Sequence, residues 1–194
     1  HDDEEILKKT LKIAVRDLVA YVLRSGDLSF EFSASTRPLE ALRIHQNIQQ
    51  ARPQNYQAEI AVSHQIETER LTLIIGGRID GIFPDTQPVL IEEIKTSTLS
   101  LDHHEHNENP VHWGQVKCYA YIFAKAHHLA EIDTRLTYYQ VDTGEMRSFH
   151  QHHDAQELAL YFQDLVSKYL KWAETIVEWE NRRDDAIRRL EFPF

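Results

Sequence analysis

Two acids and a lysine in this chain have the types and spacing that could hold a divalent cation. Glu93 and Lys95 flank Ile94 at the end of Val89-Leu-Ile-Glu-Glu-Ile-Lys95, and Asp80 lies upstream in Arg78-Ile-Asp-Gly-Ile-Phe83. Between the two runs, Pro84-Asp-Thr-Gln-Pro88 reads as a turn, so residues 78–95 are predicted to form a hairpin. Side chains alternate along a strand, which puts Glu93 and Lys95 on one face and Ile94 on the other. Pairing across the turn brings Asp80 beside Glu93. Adjacent carboxylates repel, and each gains from a nearby cation. A divalent metal held by oxygen ligands satisfies both. The plainer alternative is a cross-strand ion pair on a solvated sheet face. Against it, no other lysine in the chain has an acid two residues ahead of it.

The elements that must position these groups follow from periodicity. Leu7, Leu11, Ala14, Leu18 and Val22 predict an amphipathic helix over 4–24, stopped by Ser25-Gly-Asp27. Its Lys8, Lys9 and Lys12 fall on the polar side. Leu28–Phe32 is a short edge strand or a connection. A second helix is expected from Pro38 to Ala51, capped by Ser35 or Thr36, with Leu39, Leu42 and Ile44 to Ile48 as its buried stripe. His45 falls on or beside that inward face, where it fits either a core position or a ligand. Residues 56–75 alternate as two strands, with Glu59 a secondary acid or a solvent-facing residue. Gly76-Gly77 permits a bulge just ahead of Asp80. His103, His104 and His106 lie in a polar stretch, 101–110, that reads as a loop rather than a dedicated metal site.

A third helix is predicted over 111–128. Gln115 and Tyr119, four residues apart, share one of its faces. Ala120, Ile122, Phe123 and Ala126 line its core side, and Lys117 and Lys125 are candidates for backbone phosphate. Arg135–Val141 and Glu145–His150 form a hairpin around Asp142-Thr-Gly144. Beyond it, 154–190 is one long amphipathic helix or a broken pair, with Leu158, Phe162, Leu165, Tyr169, Trp172, Ile176 and Trp179 as its stripe.

Asp80, Glu93-Ile-Lys95, the helical Gln115-x-x-x-Tyr119 and the upstream Leu42-Arg-Ile-His-Gln46 together resemble the RecB-like branch of the PD-(D/E)XK nucleases. The motifs span residues 36–140. The resemblance implies an α/β fold with a restriction-endonuclease-like core, a central mixed and mainly antiparallel sheet flanked by helices. It implies Mg²⁺ or Mn²⁺ held by His45, Asp80, Glu93 and the Ile94 carbonyl, with the imidazole favouring Mn²⁺. Lys95 would orient or deprotonate the attacking water, or stabilise the phosphate. Gln115 and Tyr119 would position water or substrate backbone. The implied activity is a metal-dependent deoxyribonuclease, an exonuclease on single-stranded or end-containing DNA in repair or recombination. The alternatives are a non-catalytic nucleic-acid-binding or interaction domain on the same fold, and a sequence-specific endonuclease. The termini, ending Leu190-Glu-Phe-Pro-Phe194, resemble the junction of such a domain with an XPD-like helicase. The expectation is one nuclease domain, 1–194, cut from a helicase-containing chain, with DNA and a helicase as partners.

Bulk properties bound these readings. A chain of 194 residues with 42% hydrophobic and 27% charged content is one ordinary globule. No apolar run approaches a membrane span, and no signal peptide opens the chain. The single cysteine, Cys118, rules out an internal disulfide and a four-cysteine iron–sulfur cluster. It also points to a reducing, cytoplasmic setting. A net charge of −10 argues against broad electrostatic adhesion to nucleic acid. A nuclease of this charge needs metal ions, local cations or a partner to hold its substrate.

Overall fold

The computed structural model describes residues 8–24, 38–102 and 109–190. The elements in chain order are β1 (Lys9–Ala14), α1 (Val15–Arg24), α2 (Pro38–Gln50), β2 (Gln57–Glu67), β3 (Leu71–Phe83) and β4 (Leu90–Ser97). They are followed by α3 (Pro110–Ala126), β5 (Glu131–Gln140), β6 (Met146–Asp154) and α4 (Ala155–Arg189). The fold is α/β, with a central mixed sheet flanked by helices, as expected.

β3 organises the sheet. β2 pairs antiparallel with it in one constant register, from Gln57↔Ile82 to Glu67↔Thr72, skipping only Glu59. That occupies one edge of β3 for its whole length. β1, parallel from Lys9↔Leu71 to Ala14↔Gly76, and β4, antiparallel from Gly81↔Glu92 to Phe83↔Leu90, therefore share the other edge in succession. The sheet forks between Gly76 and Gly81. β4 continues to β5 in parallel through the α3 crossover, and β5 to β6 as an antiparallel hairpin. Leu71, Leu73, Ile75 and Ile79 of β3 are buried with Val15, Leu18 and Val19 of α1, Val116 and Ala120 of α3, and Leu158, Phe162 and Leu165 of α4.

Several expectations need correction. The helix predicted over 4–24 is partly strand in its described residues. Half-buried Leu11 and Ile13 alternate with exposed Thr10 and Lys12 along β1, and pairing with β3 outweighs the helical spacing. Leu39 and Leu42 are exposed, at 82% and 53%, and only Ile48 of α2 is buried. Ala126 is exposed at the end of α3. α4 is one continuous helix whose stripe shifts: Trp172, Ile176 and Trp179 are exposed, while Ala173 and Val177 carry the burial. No bulge occurs at Gly76-Gly77, because the β2–β3 register runs straight through both. Gly77 is instead a close approach, since a Cβ there would stand 2.7 Å from the Tyr119 hydroxyl. The irregular residue is Glu59, with φ of 56°, lying between the pairs Ala58↔Gly81 and Ile60↔Ile79 and hence opposite Asp80. The expectations for 4–7, 25–37, the three histidines of 103–106 and 191–194 lie outside the described residues.

Candidate active site

The site is built where the sheet forks. The β3–β4 ladder ends at Gly81↔Glu92, and its register carried one step further sets Asp80 next to Glu93, whose pKa the Asp80 charge raises. One Asp80 oxygen, Oδ2, accepts the Ile94 backbone N–H at 2.7 Å. The other, Oδ1, lies 3.7 Å from Nδ1 of His45, presented by α2. Glu93 is 8% exposed. Its Oε1 is 3.2 Å from the Lys95 ammonium, and its Oε2 is buried with no hydrogen-bond partner among the described residues. Lys95 donates onward to Oε1 of Gln115.

α3 supplies the opposite wall. Asn109 caps it, its side chain accepting from the N–H groups of Val111 and His112 at 3.0 and 3.1 Å, and Pro110 opens the first turn. This fixes the helix so that Gln115 and Tyr119 both face the sheet and are both buried. Lys117 does not point at the site: its ammonium lies 4.9 Å over the Tyr161 ring. Lys8 and Lys9 are likewise engaged, by Glu67 and Glu180.

Electrostatics mark the place. Burial, then the Asp80 charge, pushes Glu93 up to about 7 from 4.5, against the opposing pull of Lys95 and His45. Burial pushes the Tyr119 hydroxyl up, and the Glu93 and Asp80 charges push it further. Burial lowers His45, but its contact with Asp80 and the Asp80 and Glu93 charges more than offset this, and its pKa is raised. Two carboxylates, one of them with an oxygen left unpartnered among the described residues, and an imidazole suit a hard or borderline divalent cation. As the side chains stand, no three His, Cys, Asp or Glu groups among the described residues converge as a metal cluster. The donor chemistry fits an ion; the assembled coordination shell is not preformed.

Sequence reasoning passed over Glu92. It leaves β4 on the side opposite Glu93 and is fully buried. Arg52 grips it with Nε at 3.1 Å and Nη2 at 2.8 Å, and Arg135 donates from Nε at 2.8 Å. Tyr56 and Thr137 donate at 2.9 and 2.7 Å. The signal available was an acid inside an apolar strand, which must find cations when buried. Which arginines would supply them is a tertiary fact. Glu59, weighed as a secondary acid, is held by Gln49, whose amide donates to Glu59 Oε1 at 2.8 Å and to the Asp80 carbonyl at 2.9 Å.

This fold is that of the PD-(D/E)XK-type exonucleases. The chain is similar to the alkaline exonuclease LHK-Exo of Laribacter hongkongensis, at a TM-score of 0.54 and 14% identity, over 91% of this chain and 94% of that one. The structure of LHK-Exo in complex with dAMP aligns at 0.56 and 17% identity, over the same shares. At such identities the likeness concerns the fold. No family model matches the chain, and no curated protein matches it.

Proposed function

We propose that the chain is a metal-dependent deoxyribonuclease of the RecB-like kind, acting as an exonuclease on single-stranded or end-containing DNA. The observation that carries this reading is the chain of contacts from Glu93 to Lys95 to Gln115, beside Asp80, with one buried Glu93 oxygen that has no hydrogen-bond partner among the described residues. The fold shared with LHK-Exo, an alkaline exonuclease, supports it.

Asp80, Glu93 and His45, with the Ile94 carbonyl, would hold Mg²⁺ or Mn²⁺. The ion would lower the pKa of bound water and neutralise charge on the phosphate oxygens. The remaining work falls to the chain's own groups. Lys95, tethered between Glu93 and Gln115, presents an ammonium where the phosphate must sit, and shifts its contacts from carboxylate to phosphate oxygen when substrate arrives. Gln115 holds that ammonium in place. Tyr119, kept protonated by its surroundings, is a hydrogen-bond donor toward substrate or water. A role in repair or recombination and a covalent or associated helicase belong to the same proposal.

The test is digestion of end-labelled single-stranded and duplex DNA with Mn²⁺, Mg²⁺ or EDTA, with Lys95→Ala as control. Metal-dependent cleavage that disappears in the variant supports the reading, and the product ladder gives the mode. Absence of both cleavage and Mn²⁺ binding overturns it. The competing reading, a non-catalytic binding or interaction domain, draws on the net charge of −10 and on the absence of a preformed three-ligand cluster among the described residues.

A further inference from the structure

Glu92 does more than fill a hole in the sheet. Its carboxylate joins three elements: Arg135 and Thr137 from β5, Tyr56 from the approach to β2, and Arg52 from the turn that ends α2. The Arg52 contact is two-pronged, a geometry that fixes direction as well as distance. Arg52 is itself tied to the helix, its N–H donating to the Gln49 carbonyl at 3.2 Å. In the last turn of α2, Gln49 grips the Asp80 carbonyl and Glu59. One turn further back stands His45, against Asp80. α2 buries only Ile48, so apolar packing gives it little hold on the sheet. Polar anchors therefore set where it lies.

We propose that Glu92 and Arg52 are positioning residues. Their clamp seats α2 on the β3–β4 hairpin and thereby holds the His45 imidazole at the carboxylate pair. Glu92 and Glu93, adjacent on β4, divide the work between the two sides of the strand: one anchors the helix that carries the imidazole, the other faces it across the site. The inference rests on the nuclease reading only in naming a metal as what His45 serves.

The experiment compares Arg52→Met with Thr137→Val, which removes a donor from the same carboxylate but has no link to α2. Arg135 still compensates Glu92 in the first variant, and Arg52→Lys, which keeps a charge but loses the fork, serves if that variant does not fold. Three quantities are read: Mn²⁺ affinity by calorimetry, the melting midpoint, and the backbone amide resonances of residues 44–49 in metal-free protein. The expected result is a loss of about 10- to 100-fold in Mn²⁺ affinity for Arg52→Met, the range for groups that orient a ligand. Amide shifts over 44–49 accompany it. The affinity loss disappears when His45 is already alanine. Thr137→Val lowers the midpoint with Mn²⁺ affinity kept. Unmoved resonances in 44–49, or a loss that adds fully to that of His45→Ala, overturn the proposal. If wild-type protein takes no Mn²⁺, the nuclease reading falls, and the resonances alone still decide whether the clamp positions α2.

Discussion

Glu93 is asked to hold a negative charge in a place that disfavours it. It is buried, beside a second carboxylate, with one oxygen unsatisfied among the described residues. In metal-free protein this costs stability, and the sign follows from the raised pKa. Between about 4.5 and about 7 the folded state binds the proton more tightly than the unfolded one, so stability falls as pH rises through that window. Glu93→Gln removes the charge at nearly constant volume. It should raise the stability of EDTA-treated protein by about 1–2 kcal/mol at neutral pH, near 2–4 °C per kcal/mol for a chain of this size. The same variant should lose Mn²⁺ binding. A lower midpoint than wild type in EDTA would show that the buried oxygen is not a source of strain. His153 gives the opposite dependence. Burial lowers its pKa from 6.5 to about 4, and its Nε2 meets the Thr134 hydroxyl at 2.7 Å. The unfolded chain takes up that proton first, so stability drops as pH falls from about 6.5 to about 4, by at most about 3 kcal/mol. A ring titration of His153 near 6.5 by NMR would refute this.

At the scale of elements, two glycines of β3 are spaces kept open for tyrosines. A Cβ at Gly81 would lie 1.5 Å from the Tyr56 hydroxyl, which is committed to Glu92. Gly81→Ala should therefore cost at least the 1–3 kcal/mol usual for overpacking, and part of that should return when Tyr56→Ala is added. Chemical denaturation of the single and double variants checks it, and full additivity would argue against the clash. What could be read beforehand divides along the same line. The hairpin, the Asp80–Glu93 juxtaposition and the shared face of Gln115 and Tyr119 follow from local rules, namely alternation, turn residues and i,i+4 spacing. β1 did not, because Leu11 and Ala14 also fit a helical stripe with Leu18, and only pairing with β3 decides. The exposure of Leu39 and Leu42 was equally hidden, since an apolar stripe does not tell how far a helix seats. The grip on Glu92 comes from residues distant in the chain, which no spacing rule connects.

For the whole molecule, charge sets the terms of contact with DNA. The net value is −10, and Lys8, Lys9 and Lys168 are each paired with an acid. Affinity for an oligonucleotide in EDTA should be weak at physiological salt, because a net charge of −10 opposes the approach of the phosphate backbone. A divalent ion should strengthen it. Fluorescence anisotropy with Ca²⁺ or EDTA tests this, and tight, steeply salt-dependent binding without metal would overturn it. No helix among the described residues is long and apolar enough to cross a membrane.

The forked edge of β3 also bears on how the molecule comes apart. Three strands share this one, so its paired amides should open only when most of the sheet does. α2, with one buried residue, can detach at much lower cost. Local opening thus takes His45 away while Asp80 and Glu93 remain together, and the imidazole is the first part of the site to be lost and the last to be regained.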